Sequence, residues 1–265
     1  MQRRHPFLEH PGPLAFAHRG GARENRENTV AAFTRAVDLG YTYLETDVNA
    51  TADGVLLAFH DQTLDRVTDG HGRIAELPYR VVRRARVGGV DEIPLLEDLL
   101  GNWPQARFNI DVKDTGAIEP LARAVRRTGA HERICLTSFS DERLARARAA
   151  VGGEVCSALG PRGVATLRAA ASTSGYGRLL TRLARAGVPC AQVPIGFRGL
   201  RVVTRSLVRT AHALGMQVHV WTVNDPGTME RLLDLGVDGI MTDNITGLRQ
   251  VLTSRGVWHP LPAAS

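Results

Sequence analysis

Lysine is almost absent from this chain: of its 33 basic side chains, all but Lys113 are arginine. Cysteine is scarce too. Cys135, Cys156 and Cys190 are odd in number, widely spaced and set in apolar runs. That excludes a disulfide framework and speaks for buried small residues in a reducing, cytoplasmic setting over a zinc site. No apolar run approaches the ~20 residues needed to span a bilayer. Behind Arg3 and Arg4, Pro6, Glu9, His10 and Pro11 interrupt anything resembling a signal-peptide core. Helix-turn-helix, zinc-finger and aromatic–basic RNA motifs are missing as well. The net charge of +6 and the pI near 9.9 therefore read as a solvated, arginine-biased surface with no nucleic-acid partner. Weak contact with an anionic membrane surface stays compatible with that charge. Nothing in the sequence bears on oligomeric state.

What the 265 residues do contain is an alternation. Short apolar runs at 14–18, 43–48, 107–112, 134–138, 155–159, 190–194, 217–222 and 238–241 are separated by amphipathic stretches. Gly40, Gly187, Gly215 and Gly236 follow such stretches, where a left-handed cap belongs. Pro226 follows Asp225 at a helix start. About eight strand–helix pairs in a domain of this size fit a closed parallel (β/α)8 TIM barrel. A doubly wound open sheet is the alternative, but Gly20-Gly21 opens no G-x-G-x-x-G turn. The expectation is one barrel domain over 8–256, with flexible termini at 1–7 and 257–265. The chain between the second and third runs is too long for one helix. It reads as a small insertion, 61–105, after the second strand, roofing the catalytic face.

Four of the runs end in, or carry, groups that cores normally exclude: His18-Arg19-Gly20, Glu45-Thr46-Asp47, His60-Asp61 and Asp111-Val112-Lys113. Residues two apart on a strand share a face. Glu45, Asp47 and Asp111 thus point to one end of the strands, where they repel each other unless a cation intervenes. Oxygen-only ligation suits Mg2+ or Ca2+; separate pairing of each carboxylate with an arginine is the alternative. His18 and His60 beside such an ion suit acid–base work near neutral pH. Arg19 and Lys113 add cations that match phosphate oxygens. Together these groups make phosphoryl chemistry the natural reaction class.

Several segments, in order, resemble the glycerophosphodiester phosphodiesterase family: His18-Arg19-Gly20, Glu27-Asn28-Thr29, Glu45-Thr-Asp47-Val, Phe59-His60-Asp61-x-x-Leu64-Asp65-Arg66-x-Thr68-x-Gly70, Asn109-Ile-Asp111-Val-Lys113 and Trp221-Thr222-Val223-Asn224. The resemblance runs from Leu14 to about Leu252. It implies a (β/α) barrel with an insertion after the second strand, and divalent-metal-dependent cleavage of glycerophosphodiesters to sn-glycerol 3-phosphate and an alcohol. By resemblance, His18 and His60 form the acid–base pair, and Glu45, Asp47 and Asp111 hold the metal. Arg19 and Lys113 contact phosphate, and Trp221 lines the pocket. Asp111 stands where the family usually has glutamate, and Arg26 and Ile245 replace prolines of its motifs. Two rivals remain. One is a lysophospholipid or sphingolipid phosphodiesterase, which would need Val81, Val82, Leu95, Leu96, Leu99 and Leu100 to line an acyl groove, although these read first as packing residues. The other is a non-catalytic phosphate- or membrane-binding protein.

Overall fold

Each short apolar run becomes a strand, and a capped helix carries the chain back to start the next. The computed structural model describes residues 5–24, 26–152, 155–172, 177, 181, 183, 184 and 187–261. Eight parallel strands form the barrel: β1 (Leu14–His18), β2 (Tyr43–Ala50), β3 (Arg107–Val112), β4 (Ile134–Thr137), β5 (Cys156–Ser157), β6 (Cys190–Pro194), β7 (Gln217–Trp221) and β8 (Gly239–Thr242). Around them lie α1 (Val30–Asp38), α2 (Leu96–Asn102), α3 (Ile118–Thr128), α4 (Asp141–Val151), α5 (Pro161–Ser172), α6 (Arg205–Ala213), α7 (Pro226–Asp234) and α8 (Ile245–Ser254). Thr29, Ser140, Thr204, Asp225 and Asn244 cap their helices, each accepting a backbone N–H of the first turn that has no partner inside the helix. The expected helical stretch at 162–186 forms α5, and much of its remainder lies outside the described residues.

Hydrogen-bonded neighbours run β5-β4-β3-β2-β1-β8-β7-β6. A single parallel bridge, Ala158 to Cys190, joins the two ends and nearly closes the barrel. Inward-facing residues fill it. At the N-terminal mouth a 3-10 turn, Pro6–Leu8, inserts Phe7 and Leu8 against Phe16 and Tyr43. The Tyr43 hydroxyl donates to the Phe7 carbonyl at 2.8 Å. Higher up, the buried amides of Asn109 and Gln192 exchange hydrogen bonds of 2.7 and 3.2 Å. The three cysteines are free and buried, as expected, but they are not scattered: their sulfurs lie within 4.8 Å of one another inside the barrel.

Two expected boundaries shift. The termini are not loose where described: residues 5–8 plug the barrel, Val257 and Trp258 pack on the core, and the Leu261 N–H donates to the Gly40 carbonyl. Residues 1–4 and 262–265 lie outside the described residues. The insertion also begins before 61 and ends before 105. Its strand Leu56–Ala58 pairs antiparallel with β2, and Leu57, Phe59, Leu64, Ile74, Val82 and Ile93 make a small core of their own. By contrast, Leu96, Leu99 and Leu100 of α2 belong to the main core, so α2 is a barrel helix. Val82, Leu96, Leu99 and Leu100 are buried in packing, which leaves only Val81 and Leu95 of the residues considered for an acyl groove with exposed surface.

Candidate active site

Strand register decides which side chains meet. Pairing of β1 with β2 sets His18 opposite Glu45, and pairing of β2 with β3 sets Asp47 opposite Asp111. His18 and Asp111 stand at or next to the C-terminal ends of β1 and β3, the end where barrel loops converge, and the register brings Glu45 and Asp47 of the longer β2 level with them. The turn after β1 is tight. Arg19, Gly20 and Gly21 all take positive φ, and a side chain on Gly20 would meet Ala32 of α1 at 2.7 Å. A left-handed arginine costs of order 1 kcal/mol or more. Here it aims the Arg19 N–H at Glu45, 3.2 Å from Oε2, and brings the guanidinium within 3.1 Å of both Glu27 and Asp47.

Each histidine is held at one nitrogen. His18 Nδ1 lies 2.6 Å from Asp243 Oδ1, and its Nε2 is 3.7 Å from Glu45. His60 Nδ1 lies 2.5 Å from Asp61 Oδ1. Arg66 then ties Asp61 to Glu27 at 2.5 and 2.6 Å. A carboxylate on Nδ1 fixes that nitrogen as the donor and leaves Nε2 to exchange protons. Burial alone would lower the His18 pKa, but the carboxylates of Glu45 and Asp243 outweigh it and raise the value.

The three acidic residues expected to hold a metal are buried together with too little positive charge. Burial, aided by the Asp47 carboxylate, pushes the Glu45 carboxyl up to about 7. Burial likewise raises Asp111, with Asp47 adding to it against Lys113. Asp47 is held down despite burial, because Lys113 and Arg19 flank it. Lys113 bridges Asp47 at 2.9 Å and Asp111 at 2.7 Å, while the second Asp111 oxygen is buried with no hydrogen-bond partner. The carboxylates therefore share one rim but are not drawn to a point. Among the described residues, the donor group gathered within 4.8 Å is the cysteine trio. The expected phosphate contacts, Arg19 and Lys113, are engaged with these carboxylates. Trp221 stands at the barrel mouth, edge-on to Phe139 at 5.6 Å.

The sequence reading passed over the residues that orient the site. Asp243 and Asp61 hold the histidines. Glu27 joins two arginines. Asn28 donates to Asp47 and accepts from Thr46, and Asn224 donates to Asp243 at 2.9 Å. All except Asp243 fall inside the motifs quoted above, so membership of those motifs was the available signal.

Residues 18–246 match the model of the glycerophosphoryl diester phosphodiesterase family. A probable glycerophosphodiester phosphodiesterase 2 of Mycobacterium tuberculosis is 42% identical over 253 residues, covering 95% of each chain. The crystal structure of a putative glycerophosphoryl diester phosphodiesterase from Silicibacter pomeroyi DSS-3 superposes with a TM-score of 0.79 at 25% identity, over 96% of this chain and 98% of the other. An Oleispira antarctica phosphodiesterase, solved in complex with the product sn-glycerol-3-phosphate, shares the fold with a TM-score of 0.73 at 23% identity, over 91% and 97% of the two chains. The barrel, the carboxylate rim and the paired histidines therefore sit in a chain that belongs to the glycerophosphoryl diester phosphodiesterase family.

Proposed function

We propose that this protein hydrolyses glycerophosphodiesters to sn-glycerol 3-phosphate and an alcohol, using His18 and His60 as a general acid–base pair. The observation that carries this reading is the matched anchoring of the two rings. Each Nδ1 is held by its own aspartate, at the rim where Arg19, Lys113 and three buried carboxylates meet. One Nε2 takes a proton from the nucleophile. The other returns a proton to the leaving alcohol oxygen as the P–O bond breaks. The nucleophile is water or the substrate's own glycerol hydroxyl; trapping a cyclic phosphate separates the two.

The donor chemistry of Glu45, Asp47 and Asp111 suits a divalent ion, Mg2+ or Ca2+, which would draw the three together. The donors are all oxygen, one Asp111 oxygen lacks any partner, and burial leaves Glu45 reluctant to ionise without a further cation. When bound, the ion polarises a phosphoryl oxygen and offsets charge there. Arg19 and Lys113 then have less carboxylate charge to neutralise and can face the phosphate.

The test is hydrolysis of glycerophosphocholine by wild type, His18→Ala and His60→Ala. Each variant should lose a factor of about 10² to 10⁴ in turnover. Activity near wild type in either removes that histidine from the mechanism. A panel of head groups, run in each metal, identifies the preferred alcohol and ion.

A further inference from the structure

Charge is distributed very unevenly along this chain. From Val155 to Asn224 there is no aspartate or glutamate, and nine arginines fall in the same stretch. That leaves 24 of the 33 basic side chains against all 27 acidic ones elsewhere, so this stretch carries +9 and the rest of the chain −3. The stretch supplies β5, α5, β6, α6 and β7, which are consecutive around the barrel. Six of these arginines, Arg162, Arg168, Arg198, Arg201, Arg205 and Arg209, fall on described residues, and of them Arg162 faces a carboxylate, Asp141, at 4.0 Å; this side of the barrel is predominantly basic.

On the catalytic face of that side, the chain leaving β6 folds into a small antiparallel hairpin, Gly196–Phe197 against Leu200–Arg201. It holds apolar side chains out in solvent: Phe197 is 61% exposed and Leu200 70%. The Arg198 guanidinium lies 5.3 Å from the Phe197 ring centre, and Arg201, Arg205 and Arg209 are exposed nearby in the chain. Phe139, 63% exposed, follows β4 on the same face and touches Trp221.

Single exposed apolar residues are ordinary, but their placement here is not. Among the described residues, every large hydrophobic that is exposed lies in a loop, the insertion or a first helical turn following the C-terminal end of a strand. The opposite mouth is sealed by Phe7 and Leu8. Apolar tips flanked by arginines suit the boundary between lipid headgroups and acyl chains, where guanidinium pairs with phosphate. A nucleic-acid groove would instead line aromatics along a basic channel, whereas Phe197 and Leu200 project from a turn.

We propose that the catalytic face docks on an anionic lipid bilayer, with Phe197 and Leu200 entering the interface and the arginines of the acid-free stretch contacting lipid phosphates. Docked this way, the His18–His60 site faces the membrane. That last consequence rests on the phosphodiesterase reading; the docking itself does not.

The experiment is flotation of the intact protein with vesicles of phosphatidylcholine alone, or with about 30 mol % phosphatidylglycerol, at low salt and at about 0.5 M salt. Wild type should float with the anionic vesicles only, and high salt should release it. The double variant Phe197→Ser/Leu200→Ser should lose binding about tenfold or more, and Arg198→Glu/Arg201→Glu should do the same. Wild type left unbound by anionic vesicles at low salt overturns the proposal. So does a Ser/Ser variant that floats like wild type, or retention by duplex DNA in place of vesicles. Hydrolysis of soluble glycerophosphocholine is read alongside and should be unchanged in both variants. Wild type that floats but does not hydrolyse counts against the active-site reading alone, and wild type that hydrolyses but does not float counts against docking alone.

Discussion

The proposed mechanism needs the His18 ring kept from turning, and Asp243 holds its Nδ1 across 225 residues of sequence. Asp243→Asn keeps the shape and removes the charge. A hydrogen bond to a charged group is worth about 1.5–3 kcal/mol, so kcat should fall about 10- to 150-fold while KM changes little. Steady-state kinetics on glycerophosphocholine check this, and a kcat within twofold of wild type would contradict the role. Arg66 acts at one remove, through the aspartate that holds His60. Its hydrogen bonds, against a smaller opposing effect of burial, hold the Asp61 carboxyl down to about 2. A carboxyl lowered by folding stabilises the native state above its unfolded value of about 3.9 and loses that contribution as pH falls toward 2. Arg66→Ala should therefore be less stable than wild type at pH 6, with the gap closing between about pH 4 and pH 2. Urea midpoints at several pH values measure it; a gap of constant size would show that Arg66 contributes through packing alone.

Among the elements, the 3-10 turn Pro6–Leu8 does more than its length suggests. Phe7 is wholly buried against Phe16 and Tyr43 at the N-terminal mouth, far from the histidines along the barrel. Phe7→Ala should cost about 3–5 kcal/mol of unfolding free energy yet leave KM for glycerophosphocholine unaltered; denaturant titration beside kinetics tests both halves. This turn was also the element least legible in the sequence. Three residues after a proline have no period to read, and their burial depends on Phe16 and Tyr43 arriving from two strands. The barrel strands were legible because their apolar runs are bounded by caps such as Thr29, Thr204 and Asp225, which act locally. Helix α2 reads as part of the insertion because its seven residues begin two positions after Pro94, and only the burial of Leu96, Leu99 and Leu100 in the main core assigns it to the barrel. The same limit governs the site. Glu45-x-Asp47 and Asp111-x-Lys113 show their shared faces by period two, whereas the pairing of Asp243 with His18 exists only because β8 closes onto β1.

At the scale of the whole molecule, the proposed metal site at the carboxylate rim would couple ion binding to folding. Glu45 and Asp47 come from β2 and Asp111 from β3, so their shared environment exists only while those strands are paired. The unfolded chain spreads the same groups apart and binds the ion weakly. A ligand held by the native state alone stabilises it by about 2.7 kcal/mol at a hundredfold excess over Kd. For a chain of this size that corresponds to a rise in Tm of roughly 5–10 °C. Wild type melted in Mg2+ or Ca2+ should exceed wild type in EDTA by about that margin. Asp111→Asn removes the charge of the carboxyl whose second oxygen has no partner. The variant should shrink the metal-dependent shift and raise the metal concentration needed for half-maximal hydrolysis. Melting curves read the ion without relying on turnover. Equal Tm values in metal and in EDTA would mean that the rim is neutralised by Lys113 and Arg19 alone, which returns the three carboxylates to simple ion pairing.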